Sequence, residues 1–119
     1  MKILLVDDYR PLAEAMALGL RLAGHTVVWA PDGVAGLSQF RSQYFDVVLS
    51  DWNMPKMTGP EMIREILRLQ PDAKIVMMSG DPWNKPPEGI NLLVKGSLTT
   101  RDILSAFGEL FDGHNAGKV

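Results

Sequence analysis

The stretch "DVVLSDWNMPKMTG", residues 46–59, sets an almost unbroken apolar run directly before a carboxylate, an aromatic, an amide and a proline. A short apolar run without alternation marks a strand covered on both faces, as in a parallel sheet packed between helices. This places a strand over Asp46 to Ser50 and leaves Asp51 at its end. Asp, Asn, Pro and Gly are also ordinary loop residues. Whether Asp51 does more than end a strand depends on what the rest of the chain brings to it.

The same rhythm repeats on both sides. Ile3 to Val6, Thr26 to Ala30, Lys74 to Ser79 and Ile90 to Val94 are further short strands. The segments between them have helical period. Leu12, Met16, Gly19, Leu20 and Ala23 fall on one face of a first helix, with Pro11 in its first turn and Gly24 at its C-terminal cap. After the turn "PDG", Val34, Leu37 and Phe40 mark a short second helix. Thr58 is placed to cap a third, with Pro60 just inside, Met62, Ile63, Ile66 and Leu67 facing inward, and Pro71 beyond its end. A last helix is expected from about Thr100 to Phe111, with Ile103, Leu104, Phe107, Leu110 and Phe111 as its apolar face. Strands alternating with helices imply right-handed crossovers and a doubly wound, three-layer α/β sandwich. The expected fold is flavodoxin-like, with five parallel strands in the order 2-1-3-4-5. One segment resists. "GDPWNKPPEG", residues 80–89, stands where a fourth helix belongs, yet three prolines in it make a regular helix untenable. It reads as a loop with at most one helical turn.

Composition bounds the function. The chain has 119 residues, 46% hydrophobic and 22% charged, with net charge −2 and no cysteine. One domain is the natural count, with residues 1–112 as the domain and 113–119 as a flexible tail or the start of a linker. The charge gives no footing for nucleic acid or an anionic membrane. Without cysteine there are no disulfides, thiol nucleophiles or thiolate zinc sites. The start "MKILLVDDYRP" is too short in apolar residues for a signal peptide or a span, so a cytoplasmic location is expected.

In open parallel sheets, ligands bind beyond the carboxyl ends of the strands. Asp7 and Asp8 end the first strand, Asp51 the third, Ser79 the fourth and Lys95 the fifth. Taken singly, each has an everyday reading: an acid before a helix, a turn serine, a solvated lysine. Gathered at one rim they are chemically complementary. Three carboxylates repel one another unless a cation joins them. Hard oxygen donors without His or Cys favour magnesium, with manganese the alternative. Lys95 and the Ser79 hydroxyl suit the oxygens of a phosphoryl group. Asp51 is the candidate nucleophile, because a carboxylate can form an acyl phosphate.

The segments "LLVDD", "DVVLSDWNMPKMTG", "KIVMMSG" and "LLVKG" resemble the signature segments of response-regulator receiver domains of bacterial two-component signalling, the central one being close to the single-domain chemotaxis regulators. The resemblance runs from Lys2 to about Phe111. It implies that Asp51 is the phosphoacceptor, charged from a phosphohistidine on a sensor histidine kinase or phosphotransfer protein. It implies Asp8 as a direct magnesium ligand, Asp7 acting through water, Asp51 as a third oxygen and Asn53 offering its backbone carbonyl. Ser79 would be the switch hydroxyl and Lys95 the family's lysine, while Asn53 and Asp81 would flank the water that ends the acyl phosphate. The output would be a downstream protein or a linked domain. The chain departs from the family in three places. Gly96 stands where proline usually follows the lysine, Leu92 stands where an aromatic switch is common, and the fourth helix is replaced. A receiver-like interaction module that works without phosphorylation is therefore the first alternative. Enzymes on the same architecture fit less well. A haloacid-dehalogenase-type phosphatase needs an acid pair spaced differently from "DDYRP", and a flavodoxin-type phosphate loop would not tolerate acids there.

Overall fold

The five apolar runs become strands: β1 (Lys2–Val6), β2 (Thr26–Ala30), β3 (Val47–Asp51), β4 (Ile75–Ser79) and β5 (Asn91–Val94). They form one parallel sheet in the order β2-β1-β3-β4-β5. Among the described residues there are four helices: α1 (Arg10–Leu22), α2 (Gly33–Ser42), α3 (Gly59–Leu69) and α4 (Thr100–Ala116). This computed structural model describes residues 1–96 and 98–116, and side chains as far as Phe111. The expected α/β sandwich and strand order are those observed. Among the described residues no helix lies between β4 and β5, where the prolines forbid one.

Alternation along the strands divides the interior in two. Ile3, Leu5, Val47, Leu49, Val76 and Met78 face one side, packing with Leu20 of α1 and Ile103 and Phe107 of α4. Leu4, Val6, Val48, Ile75 and Met77 face the other, packing with Leu37 of α2 and Met62, Ile63 and Ile66 of α3. Burial on both faces explains why the central strands read as continuous apolar runs. The edge strand β5 is only part-buried, and Val94 remains 45% exposed because no helix packs over that corner.

Local signals set the helix ends. Thr58 and Glu61 form a reciprocal capping box at α3, so two otherwise unpaired backbone N–H groups are satisfied. These bonds also hold the Glu61 carboxyl below its ordinary range. Asp32 accepts from the Ala35 N–H at the start of α2 and pairs with Lys56 at 3.5 Å. Its carboxyl is lowered chiefly by that backbone bond. Gly24 follows α1 with φ +97°, a left-handed conformation that glycine adopts without a Cβ penalty.

Several sequence expectations are corrected. Asp51 is the last residue of β3, while Asp46, Lys74 and Ile90 lie just outside their strands. Asp46 instead accepts from the Lys2 N–H at 2.6 Å, holding the start of the sheet. Ala23 is exposed because it sits at the C-cap, past the last inward-facing turn. Val34 is 48% exposed, since the buried stripe of α2 runs through Gly33, Gly36 and Leu37. Those glycines let α2 lie against Met57, Met62 and Val6 with no room for a methyl. Phe111 is 43% exposed, two turns beyond Ile103 where the packed face has run out. The last helix continues to Ala116, for nothing after Phe111 is a proline; the rest of the expected tail, 117–119, lies outside the described residues.

Two glycines give opposite expectations. A methyl at Gly59 would collide with the Asp51 carbonyl oxygen and crowd Met77. Gly59→Ala should lower stability by about 2 kcal/mol or more in urea unfolding. Gly108 lies inside α4 with open space around it. Gly108→Ala should raise stability by roughly 0.5–1 kcal/mol, from helix propensity alone.

Candidate functional site

Parallel pairing brings the strand ends to one rim. β1 lies between β2 and β3, so Asp7, directly after β1, stands beside Asp51 at the end of β3. Carboxylate oxygens of Asp7, Asp8 and Asp51 all lie within 4.8 Å of one another. Asp7 is fully buried and Asp51 is 8% exposed, whereas Asp8 faces solvent. Lys95, one residue past β5, reaches across the ends of β4 and β3 to both buried acids. Its ammonium lies 3.1 Å from Asp51 Oδ1 and 3.3 Å from Asp7 Oδ2.

The supports are specific. Asp7 Oδ1 accepts from the Tyr9 N–H at 2.9 Å, and its backbone is held on both sides, its N–H donating to the Ala30 carbonyl and its C=O accepting from the Trp29 indole. Asp51 Oδ1 also accepts from the Trp52 N–H at 2.8 Å. The Gly59 N–H returns to the Trp52 carbonyl, closing the loop behind the acid. Ser79 is buried. Its hydroxyl oxygen accepts from the Asp81 N–H at 3.0 Å and from the Asn84 side-chain amide at 2.6 Å.

Burial raises the Asp51 pKa above its ordinary 3.8, the neighbouring Asp7 charge adds to the rise, and hydrogen bonding and charge from Lys95 offset part of it. Three carboxylates against one ammonium leave an excess of negative charge in a confined space. Every donor in the cluster is a hard oxygen, which fits magnesium or manganese and not a soft or imidazole-bound metal.

Each residue marked in the sequence now has a place. Asp7, Asp8, Asp51 and Lys95 are brought into one cluster, and Ser79 ends the neighbouring strand. Asn53 follows two residues after Asp51 in the exposed loop. The Asp81 carboxylate is turned along its own loop, accepting from the Trp83 N–H at 2.9 Å. Leu92 pairs in register with Met77 and packs on the α2–α3 side of the sheet. The Lys95–Gly96 peptide bond is trans, and Gly96 takes φ +120°, which a proline ring cannot reach. Two supporting residues went unmarked by sequence. Trp29 lies in a strand like any aromatic, and Asn84 sits among turn formers.

The sequence profile described as "Response regulator receiver domain" matches residues 3–96. The chain belongs to this family. It is a signalling domain of the two-component kind and not an enzyme in the usual sense. It is 40% identical over 81 residues to the C4-dicarboxylate transport transcriptional regulatory protein DctD of Rhizobium meliloti, covering 66% of this chain and 17% of that protein. It is 40% identical over 67 residues to the chemotaxis protein CheY of Pseudomonas aeruginosa, covering 56% of this chain and 54% of that one. The receiver domain protein from Clostridium thermocellum superposes with a TM-score of 0.85 at 28% identity, covering 97% of each chain. The response regulator TrrA from Thermotoga maritima, solved in complex with Mg(2+)-BeF, matches with a TM-score of 0.82 at 26% identity, over 92% of this chain and 97% of that one.

A raised acid pKa means that the fold favours the neutral carboxyl of Asp51. The stability contributed by this group is fully present below 3.8 and is lost as the pH rises through the raised folded value. In chelator-treated protein at pH 7, Asp51→Asn should therefore unfold at a higher urea midpoint than the wild type. The gap should close on acidification; a lower midpoint for the variant at pH 7 would show that Lys95 outweighs burial.

Proposed function

We propose that this receiver domain accepts a phosphoryl group on Asp51 from a phosphohistidine of a sensor histidine kinase or phosphotransfer protein. The observation that carries this reading is the Asp51 carboxylate held at the end of β3 between the Lys95 ammonium and the Asp7 and Asp8 acids. In the transfer, an Asp51 carboxylate oxygen bonds to phosphorus as the phosphorus–nitrogen bond to histidine breaks, and the electron pair leaves with the imidazole. Lys95 neutralises charge on the transferring oxygens, and the strand ends hold the nucleophile in line without reorganisation.

Asp8 and Asp51 directly, Asn53 through its backbone carbonyl and Asp7 through water would hold magnesium, or manganese in its place. When bound, the ion supplies positive charge against the phosphoryl oxygens. Autodephosphorylation follows when water attacks the same phosphorus and the bond to the Asp51 oxygen breaks, returning the electron pair to the carboxylate and releasing inorganic phosphate, with Asn53 and Asp81 beside the water's path.

The phosphoryl charge draws in the Ser79 hydroxyl and biases a two-state surface that a downstream protein or linked output domain reads. Residues 1–112 carry the receiver unit, and α4 runs on from it to Ala116. Among the described residues no helix is long and apolar enough to cross a membrane. The cytoplasmic location and the protein partners are proposed by likeness to the receiver family.

Intact mass after incubation with acetyl phosphate tests the reading. A magnesium-dependent gain of one phosphoryl group is expected for the wild type and none for Asp51→Asn. Lys95→Ala should cut the transfer rate by about tenfold or more, from lost charge stabilisation at the oxygens. No gain with acetyl phosphate or a histidine kinase, the fold being intact, would leave the phosphorylation-independent interaction module as the function.

A further inference from the structure

The segment that replaces the missing helix is not merely a connector. Gly80 to Gly89 folds back over the end of β4, with the Trp83 N–H on Asp81 Oδ1 and the Asn84 N–H on the Asp81 carbonyl. This compact turn returns the Asn84 side chain to Ser79. A helix starting here would carry position 84 about 6 Å along its axis instead.

We propose that Asn84 is a positioning residue for the phosphoryl switch: its side-chain amide occupies one acceptor site of the Ser79 hydroxyl and so reserves that hydroxyl's proton for the anion formed on Asp51. The inference rests on the phosphoacceptor reading above and adds the residue that orients the switch.

A hydroxyl has one proton to donate and two lone pairs to accept with. In Ser79 both acceptor directions are filled from the loop, by the Asp81 N–H and the Asn84 amide. Among the described residues no side-chain or backbone oxygen takes the Ser79 proton. The residue is 1% exposed, so bulk water is not its partner. Its strand neighbour Met78 pairs in register with Asp51, and the Ser79 carbonyl accepts from the Lys95 N–H at 2.8 Å. The one uncommitted donor of this buried group therefore belongs to the residue directly after the strand partner of the carboxylate that gains the phosphoryl oxygens. Leu92 offers no hydroxyl of its own, which leaves the loop as the element bonded to Ser79.

The polarity of this bond provides the test. Asn84→Asp is nearly isosteric, but an ionised carboxylate only accepts, so Ser79 must turn its proton to it and away from Asp51. The experiment titrates the full chain with beryllium fluoride, as phosphoryl mimic, in saturating magnesium by calorimetry. Asn84→Asp and Asn84→Ala are each made in the native and the Ser79→Ala backgrounds. With Ser79 present, Asn84→Asp should weaken binding about tenfold or more, and Asn84→Ala about threefold, as expected for losing or loosening one hydrogen bond to an anion. In the Ser79→Ala background both effects should shrink to near none. Equal losses in the two backgrounds would mean that added charge or loop damage acts without Ser79, and would overturn the proposal alone. A wild-type chain that takes neither beryllium fluoride nor a phosphoryl group would overturn the phosphoacceptor reading and this proposal together.

Discussion

Two buried carboxylates at the ends of neighbouring strands must be balanced by a cation, and the rest of the site is arranged around that need. Asp7 and Asp51 are fixed by the sheet itself and cannot draw apart without breaking strand pairing. Lys95 spans both at 3.1–3.3 Å. Its reach depends on β5 pairing with β4 in a register that ends beside Ser79. The balance is incomplete, since burial and the Asp7 charge still raise the Asp51 pKa. An incompletely neutralised acid pocket favours a divalent cation and, with it, an incoming phosphoryl group. Under the proposed function, the same electrostatic tension that costs stability is what sets up binding and transfer.

The second constraint is the lost helix. Removing it uncovers Val94 and leaves Leu92 and Ile90 as the apolar cover at the end of the α2–α3 core. The loop that remains is short, stiffened by Pro82, Pro86 and Pro87, and carries Trp83 with 86% exposure. It is tied to the site by polar bonds to Ser79. Such bonds are directional and depend on which atom holds the proton, so this part of the surface answers to hydroxyl orientation where a packed helix would answer to volume.

Most of the fold was legible because burial on both sheet faces writes unbroken apolar runs, and caps such as Thr58 and turns such as Pro31 to Gly33 punctuate them. The strand-end acids and Lys95 were legible for the same reason: once the winding is known, the carboxyl ends of β1, β3, β4 and β5 fall on one rim. What could not be read has physical causes. The inner face of α2 is built on Gly33 and Gly36, which count as no side chain in any apolar pattern, so Val34 marks the helix in sequence without marking its buried face. At the end of α4, Gly113 reads as a stop, yet the helix runs through it to Ala116. Trp29 and Asn84 act through one bond each, from an indole and an amide whose partners lie 22 and 5 residues away. Nothing in local sequence distinguishes such a bond from ordinary surface chemistry.

The ion pair between Lys95 and Asp7 joins residues 88 positions apart, the widest separation among the side-chain bonds of the described chain. The order of synthesis gives that distance a meaning. Asp7, Asp8 and Asp51 leave the ribosome well before the lysine that offsets them, and β1 and β3 can pair while the pocket is still uncompensated. A nascent chain must therefore carry its acids exposed, or hold a solution cation in their place, until the fifth strand emerges and docks. The last strand of the sheet is also the one that brings the first cation to its acids.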